Sequence, residues 1–164
     1  MDNFTGLFIE DEEANAQVYT RFLEAQGLSV VCLRQLPSKL EEYYEIILEN
    51  NIDFLIIDYH LEKQVPYKGI DVLREVRKHD STIYAVLLTN YQLNDFSDQF
   101  GDYDYELNKA DMVARHKDVV DKIKRACKLR KENIIRDNIA TQLVLEEKSI
   151  DILKEIKNKL DTMQ

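Results

Sequence analysis

Glu10, Asp11, Asp58, Thr89 and Lys109 each stand at or just beyond the end of a short strand-like run. Together they could hold a divalent cation and a phosphoryl group. Asp58 closes Phe54-Leu55-Ile56-Ile57, Glu10-Asp11-Glu12 follows Gly6-Leu7-Phe8-Ile9, and Thr89-Asn90 follows Ala85-Val86-Leu87-Leu88. Carboxylates brought together repel one another and raise each other's pKa unless a cation lies between them. Mg²⁺ suits such a site, because it takes hard oxygen ligands, keeps several waters and needs only a few carboxylates. A lysine ammonium and a threonine hydroxyl nearby would grip phosphoryl oxygens. One carboxylate would then be left as a nucleophile able to form an acyl phosphate. Asp58 is the candidate: its run, bracketed by Asp53, reads as a parallel strand covered on both faces. It thus falls just beyond the carboxyl end of a central strand, where open α/β sheets place their chemistry.

The elements that must position these residues alternate as short apolar runs and longer amphipathic ones, the pattern of a mainly parallel sheet with helices on both faces. Strands are expected near 5–10, 28–33, 53–58, 82–89 and 104–108. A first helix is expected from Glu12 to Gln26, with Ala14, Val18, Phe22 and Leu23 on its apolar side and Gly27 as its stop. A second starts near Pro37 and ends near Asn50-Asn51. Gly69 opens a third with Ile70, Leu73 and Val76 inward, the weakly patterned segment from Tyr91 to Tyr103 leaves room for a short fourth, and a fifth starts near Asp111. That last helix is expected to turn Met112, Val113, Val119, Val120 and Ile123 to the sheet.

With 164 residues the chain can build one ordinary domain and an appendage. The domains are read as 1–125 and a helical extension over 126–164. No glycine or proline follows Gly101, and Ile135, Ile139, Leu143, Ile150, Leu153, Ile156 and Leu160 recur at helical steps. Such a stripe must be buried against something. The extension therefore pairs with a second copy to make a homodimer, as a coiled coil interrupted at Glu146, or folds back as a hairpin.

The formal net charge is −9, with −12 over residues 1–110 and +3 over 111–164. An acidic domain of this kind does not read as nucleic-acid-binding, and the mild positive balance of the tail reads as a solvated helix face. No apolar run approaches membrane-spanning length and the N-terminus lacks the basic start of a signal peptide, which points to the cytoplasm and away from membranes. Cys32 and Cys127 form no metal or redox motif and read as packing residues. The histidines have no ligand spacing and read as exposed. The tyrosines read as packing groups rather than a base-stacking platform. No glycine-rich phosphate loop or nucleophile elbow is present, so an independent metabolic enzyme is not indicated.

Five segments carry a resemblance: Leu7–Glu12, Phe54–Asp58, Gly69–Arg77, Val86–Thr89 and Glu106–Lys109. In order and spacing they resemble the receiver domain of two-component response regulators over about residues 1–125. The resemblance implies a flavodoxin-like (βα)5 doubly wound sheet of order 2-1-3-4-5, followed by a C-terminal long helix or helical hairpin. It implies that Asp58 accepts a phosphoryl group from a histidine kinase or phosphotransfer protein. Asp11, Asp58 and the backbone carbonyl of His60 would bind Mg²⁺ directly, and Glu10 through water. Thr89 and Lys109 would grip the phosphoryl oxygens. Such a protein is not an enzyme in its own right, but a phosphoacceptor that assists its own phosphorylation and dephosphorylation, with output through association of the helices.

Some positions depart from the family pattern. Ala110 follows Lys109 where the family usually has a proline in a cis bond, and a cis bond to alanine costs about 2.5–4 kcal/mol. A trans bond is therefore expected, with displacement of the lysine. Either Lys109 or Asn108 fills the lysine slot; choosing Lys109 leaves Glu106 in place of the switch aromatic and weakens its coupling to Thr89. Asn90 is larger and more polar than the small residue the family normally has after Thr89, and Asn90 and Tyr91 are expected to slow phosphoryl transfer or hydrolysis. The loop from Asp58 to Gly69 is long, either gating the site or simply tolerated. These departures leave a second reading, a degenerate receiver that acts as an interaction module without phosphorylation. A third, a Mg²⁺-dependent phosphatase, lacks the acid it would want two residues after Asp58, where His60 stands.

Overall fold

The computed structural model describes residues 2–90 and 103–163. Five parallel strands form one sheet in the order 2-1-3-4-5: β1 (Thr5–Ile9), β2 (Ser29–Cys32), β3 (Phe54–Asp58), β4 (Tyr84–Thr89) and β5 (Tyr105–Asn108). The helices are α1 (Glu13–Ala25), α2 (Glu42–Glu49), α3 (Gly69–His79), α4 (Lys109–Ala114) and α5 (His116–Thr162). This is the parallel sheet with helices on both faces that the alternating pattern implied, in the flavodoxin-like order that the resemblance implied. The short helix expected between Tyr91 and Tyr103 falls almost wholly outside the described residues.

Every residue of β3 is buried, because its side chains alternate between two covered faces. Leu55 and Ile57 join Tyr43 and Ile47 of α2 and Ile70, Leu73 and Val76 of α3. Phe54 and Ile56 join Ala16, Tyr19 and Leu23 of α1, Met112 of α4 and Val119, Val120, Ile123 and Cys127 of α5. Burying each such aliphatic or aromatic side chain fully is worth about 1.5–3 kcal/mol. The central strand is therefore fixed from both sides, and so is Asp58 at its end.

Several expectations about helices need correction. The inward side of α1 carries Ala16, Tyr19 and Leu23, whereas Ala14 and Val18 are exposed. α1 does stop at Gly27, whose φ of +89° suits glycine. Its N–H bonds the Glu24 carbonyl while that of Leu28 bonds the Leu23 carbonyl, the paired closure of a left-handed helix end. α2 begins at Glu42 and not at Pro37, because the chain around Pro37 is held elsewhere. The Leu36 N–H goes to Gln64 and the Pro37 carbonyl takes the Tyr67 hydroxyl. α4 starts at Lys109, ahead of Asp111, because the Asn108 side chain accepts the Ala110 N–H and caps it. A break at Arg115 then separates α4 from α5 and leaves Val113 exposed. Cys127 is buried as expected, but Cys32 is exposed on the edge strand β2.

The chain divides into two compact units, residues 1–127 and 128–164. Throughout the second, α5 continues without interruption to Thr162. A helical hairpin is therefore not formed there, and Ile135, Ile139, Leu143, Ile150, Leu153, Ile156 and Leu160 are all exposed in this chain. No described helix is long and apolar enough to cross a membrane.

Gly69 is where α3 meets the end of β3. A Cβ there would lie 2.0 Å from the Asp58 carbonyl oxygen and 2.7 Å from Ile57 Cγ2. Neither atom can retreat, since one is backbone and the other is in the core. Gly69→Ala is expected to cost about 3 kcal/mol, the upper range for overpacking. A urea titration checks this, and a loss below about 1 kcal/mol would show that the contact relaxes freely.

Candidate functional site

Strand order and register bring the expected residues to one edge. Ile9 pairs with Ile57, Asp58 with Leu88 and Thr89 with Asn108, so the carboxyl ends of β1, β3, β4 and β5 lie side by side. Glu10 and Asp11 follow β1, Asp58 ends β3, Thr89 ends β4 and Lys109 follows β5. Glu10, Asp58 and Thr89 are all buried, which is uncommon for the two carboxyl groups unless they are paired.

The partner is Lys109. Its ammonium lies 2.7 Å from Asp58 Oδ2 and 3.2 Å from Glu10 Oε2. Burial works against the lysine charge, but the hydrogen bond to Asp58 and the pull of both carboxyl groups outweigh it and hold its pKa above the ordinary value. Asn108 is engaged as the cap of α4, so Lys109 is the residue that reaches the acidic groups. Among the described residues no peptide bond is cis, and the trans Lys109–Ala110 bond does not keep the lysine away.

Glu10, Asp11 and Asp58 offer oxygens that all lie within 4.8 Å of one another. These hard oxygen donors fit Mg²⁺ in chemistry and in spacing. The His60 backbone N–H donates to Asp58 Oδ1 at 3.3 Å, and its ring contacts Glu62 at 3.0 Å. The mouth is a cleft of about 370 Å³ lined by Asp11, Asp58, His60, Lys63, Asn90 and Lys109 among others. Asn90 is exposed at its rim, whereas Tyr91 lies outside the described residues.

The long loop after Asp58 is neither slack nor a free flap. Leu61, Val65 and Tyr67 are buried in the core, and Tyr67 Oη lies 2.7 Å from Tyr43 Oη. On the side of the site, the Lys63 N–H donates to Asp11 Oδ2 at 3.0 Å, and the Gln64 side chain donates to the Asp11 carbonyl at 3.1 Å. The Lys63 ammonium pairs with Glu12. Sequence reasoning missed these contacts, for which loop length was the only signal. On β5, Glu106 accepts the Tyr103 hydroxyl at 2.9 Å.

Burial, followed by the hydrogen bond and repulsion from Asp58, pushes the Glu10 carboxyl up to about 9. A carboxyl raised in the folded state keeps a proton that the unfolded chain releases at about its ordinary 4.5. Its contribution is therefore fully present below 4.5 and is lost as pH climbs toward 9. In chelator, the wild type should lose several degrees of melting temperature between pH 5 and 9 relative to Glu10→Gln, whose amide cannot ionise. Parallel pH profiles for the two proteins would show that Glu10 does not hold this proton.

The geometry agrees with comparisons to known proteins. The model of the response regulator receiver domain family matches residues 7–105. A response regulator receiver domain protein from Clostridium thermocellum is 24% identical, with a TM-score of 0.62 over 78% of this chain and 97% of that one. The receiver domain of Francisella response regulator 1452 is 20% identical, with a TM-score of 0.62 over 78% of this chain and 99% of that one. The response regulator TrrA from Thermotoga maritima, solved in complex with Mg²⁺-BeF, is 20% identical, with a TM-score of 0.59 over 75% of this chain and 99% of that one. No curated protein matches. With its sheet order and with Glu10, Asp11, Asp58 and Thr89 on one edge, the chain belongs to the response regulator receiver domain family.

Proposed function

We propose that this protein is a cytoplasmic phosphoacceptor switch in which Asp58 receives a phosphoryl group from a histidine kinase or phosphotransfer protein. The observation that carries this reading is the contact of the Lys109 ammonium with both Asp58 and Glu10 at the mouth of an open cleft. An Asp58 oxygen attacks phosphorus as the bond from phosphorus to the donor's imidazole nitrogen breaks and the imidazole leaves. Lys109 then follows one of the new phosphoryl oxygens, and the Thr89 hydroxyl donates to another. Glu10, Asp11 and Asp58, with the His60 carbonyl, would hold Mg²⁺, which when bound neutralises charge between the carboxylates and the phosphoryl group. The protein's role is acceptance and slow release of the group rather than turnover of a metabolite. Asn90 at the rim slows that exchange.

Output runs through helix association. The exposed apolar residues of α5 beyond Cys127 fit a second copy of the chain, giving a homodimer whose geometry or affinity responds to the charge at Asp58. A second reading keeps the fold without the chemistry: Glu106, bound by Tyr103, stands where the aromatic switch belongs, and the domain would then act as an unphosphorylated interaction module.

Intact mass after incubation with a small phosphodonor separates the two readings. The wild type should gain one phosphoryl group only with Mg²⁺, and Asp58→Asn none. No gain under conditions that label an ordinary receiver leaves the interaction module. For the association, light scattering should give a dimer for the wild type and a monomer for Leu153→Glu. A wild-type monomer at high concentration would remove the dimer from the proposal.

A further inference from the structure

We infer that Gln64 is a positioning residue for the divalent cation, one that sets Asp11 through the loop that follows β3. The inference rests on the proposed Mg²⁺ site. Its basis is a single carboxamide that joins three connections at the sheet edge. Gln64 Oε1 accepts the Leu36 N–H at 3.1 Å, and Gln64 Nε2 donates to the Asp11 carbonyl at 3.1 Å. The β1–α1, β2–α2 and β3–α3 connections are thereby tied to one another. Next to it, the Lys63 N–H donates to Asp11 Oδ2 at 3.0 Å, so the loop holds both the main chain and the carboxylate of Asp11.

Packing and positioning are divided between different residues of the loop. Leu61, Val65 and Tyr67 are buried and anchor it in the core, and the Tyr67 hydroxyl is held by Tyr43 and by the Pro37 carbonyl. Gln64 is exposed, and its aliphatic stem does not carry the core. Its carboxamide bonds two backbone groups of other loops, one of them belonging to a residue of the acidic cluster. Groups that orient a metal ligand typically change affinity 10–100-fold when removed. Gln64 acts through the Asp11 main chain and not on its carboxylate, which places its effect near about tenfold.

The test is calorimetric titration of Mg²⁺ into the full chain, first freed of metal, for wild type, Gln64→Met and Tyr67→Phe, with melting temperatures in chelator. Gln64→Met keeps the length of the side chain and removes both hydrogen bonds. It should bind Mg²⁺ about tenfold more weakly, with a melting temperature near that of the wild type. Tyr67→Phe disturbs the same loop at its core anchor. It should lower the melting temperature and leave Mg²⁺ affinity within twofold. Equal Mg²⁺ affinity for wild type and Gln64→Met overturns the inference alone, as does an equal loss of affinity in the two variants, which would mark general loosening of the loop. A wild type that takes up no Mg²⁺ overturns it together with the proposed function.

Discussion

The ammonium of Lys109 between Asp58 and Glu10 is the interaction on which this sheet edge depends. A buried carboxylate without a counter-charge costs several kcal/mol, and two of them at one edge cost more through mutual repulsion. Lys109 offsets that cost because β5 lies next to β4, which lies next to β3, so three neighbouring strands deliver the pair and the threonine to the same place. Glu10, from the other side of β3, meets the same ammonium but remains pushed toward its neutral form. The site is thus short of positive charge, and a divalent cation among these oxygens is the chemical answer to that shortage.

The fold was legible because a doubly wound sheet writes itself plainly. The run Phe54-Leu55-Ile56-Ile57 is apolar at every position because both faces of its strand are covered, and residues placed at strand ends then converge by topology alone. Helix faces and starts were less legible. Ala14 and Val18 have the spacing of a buried stripe, yet the core takes Ala16, Tyr19 and Leu23, a choice made by where α1 lies on the sheet. Pro37 looked like a helix start because proline suits a first turn, but tertiary hydrogen bonds to Gln64 and Tyr67 hold that stretch open. Asn108 competed for the lysine slot on sequence grounds and turned out to cap α4, a local role that its type could have signalled.

Ala110 illustrates how a departure from a pattern can be absorbed. Proline at that position would lack an N–H; alanine has one, and the Asn108 side chain accepts it. The cap fixes where α4 begins, and Lys109, as the first residue of that helix, starts from a defined backbone position beside Thr89 and its pairing partner. An alternative local device therefore sets the lysine in contact with Asp58 across a trans bond. The long loop after Asp58 is a similar case. Its extra length is spent on Leu61, Val65 and Tyr67 in the core, which leaves the intervening polar residues free to bond Asp11 and Glu12.

The second unit obeys a different constraint. From Lys128 to Thr162 the chain is one helix with neither glycine nor proline to interrupt it, and a helix in isolation gains little from its own hydrogen bonds. Side chains such as Ile139, Leu143, Ile150 and Leu153 remain exposed within one chain, although burying each is worth about 1.5–3 kcal/mol. Polar substitutions at these places would cost a solitary helix almost nothing, because each of these side chains is already exposed. A stripe of this kind is favourable in water only when something covers it, and that is the physical ground of the proposed helix-mediated association. The acidic edge and the apolar stripe are thus written in separate units of the sequence. In the proposed switch, a charge placed on Asp58 acts on association by changing the elements around the acidic edge.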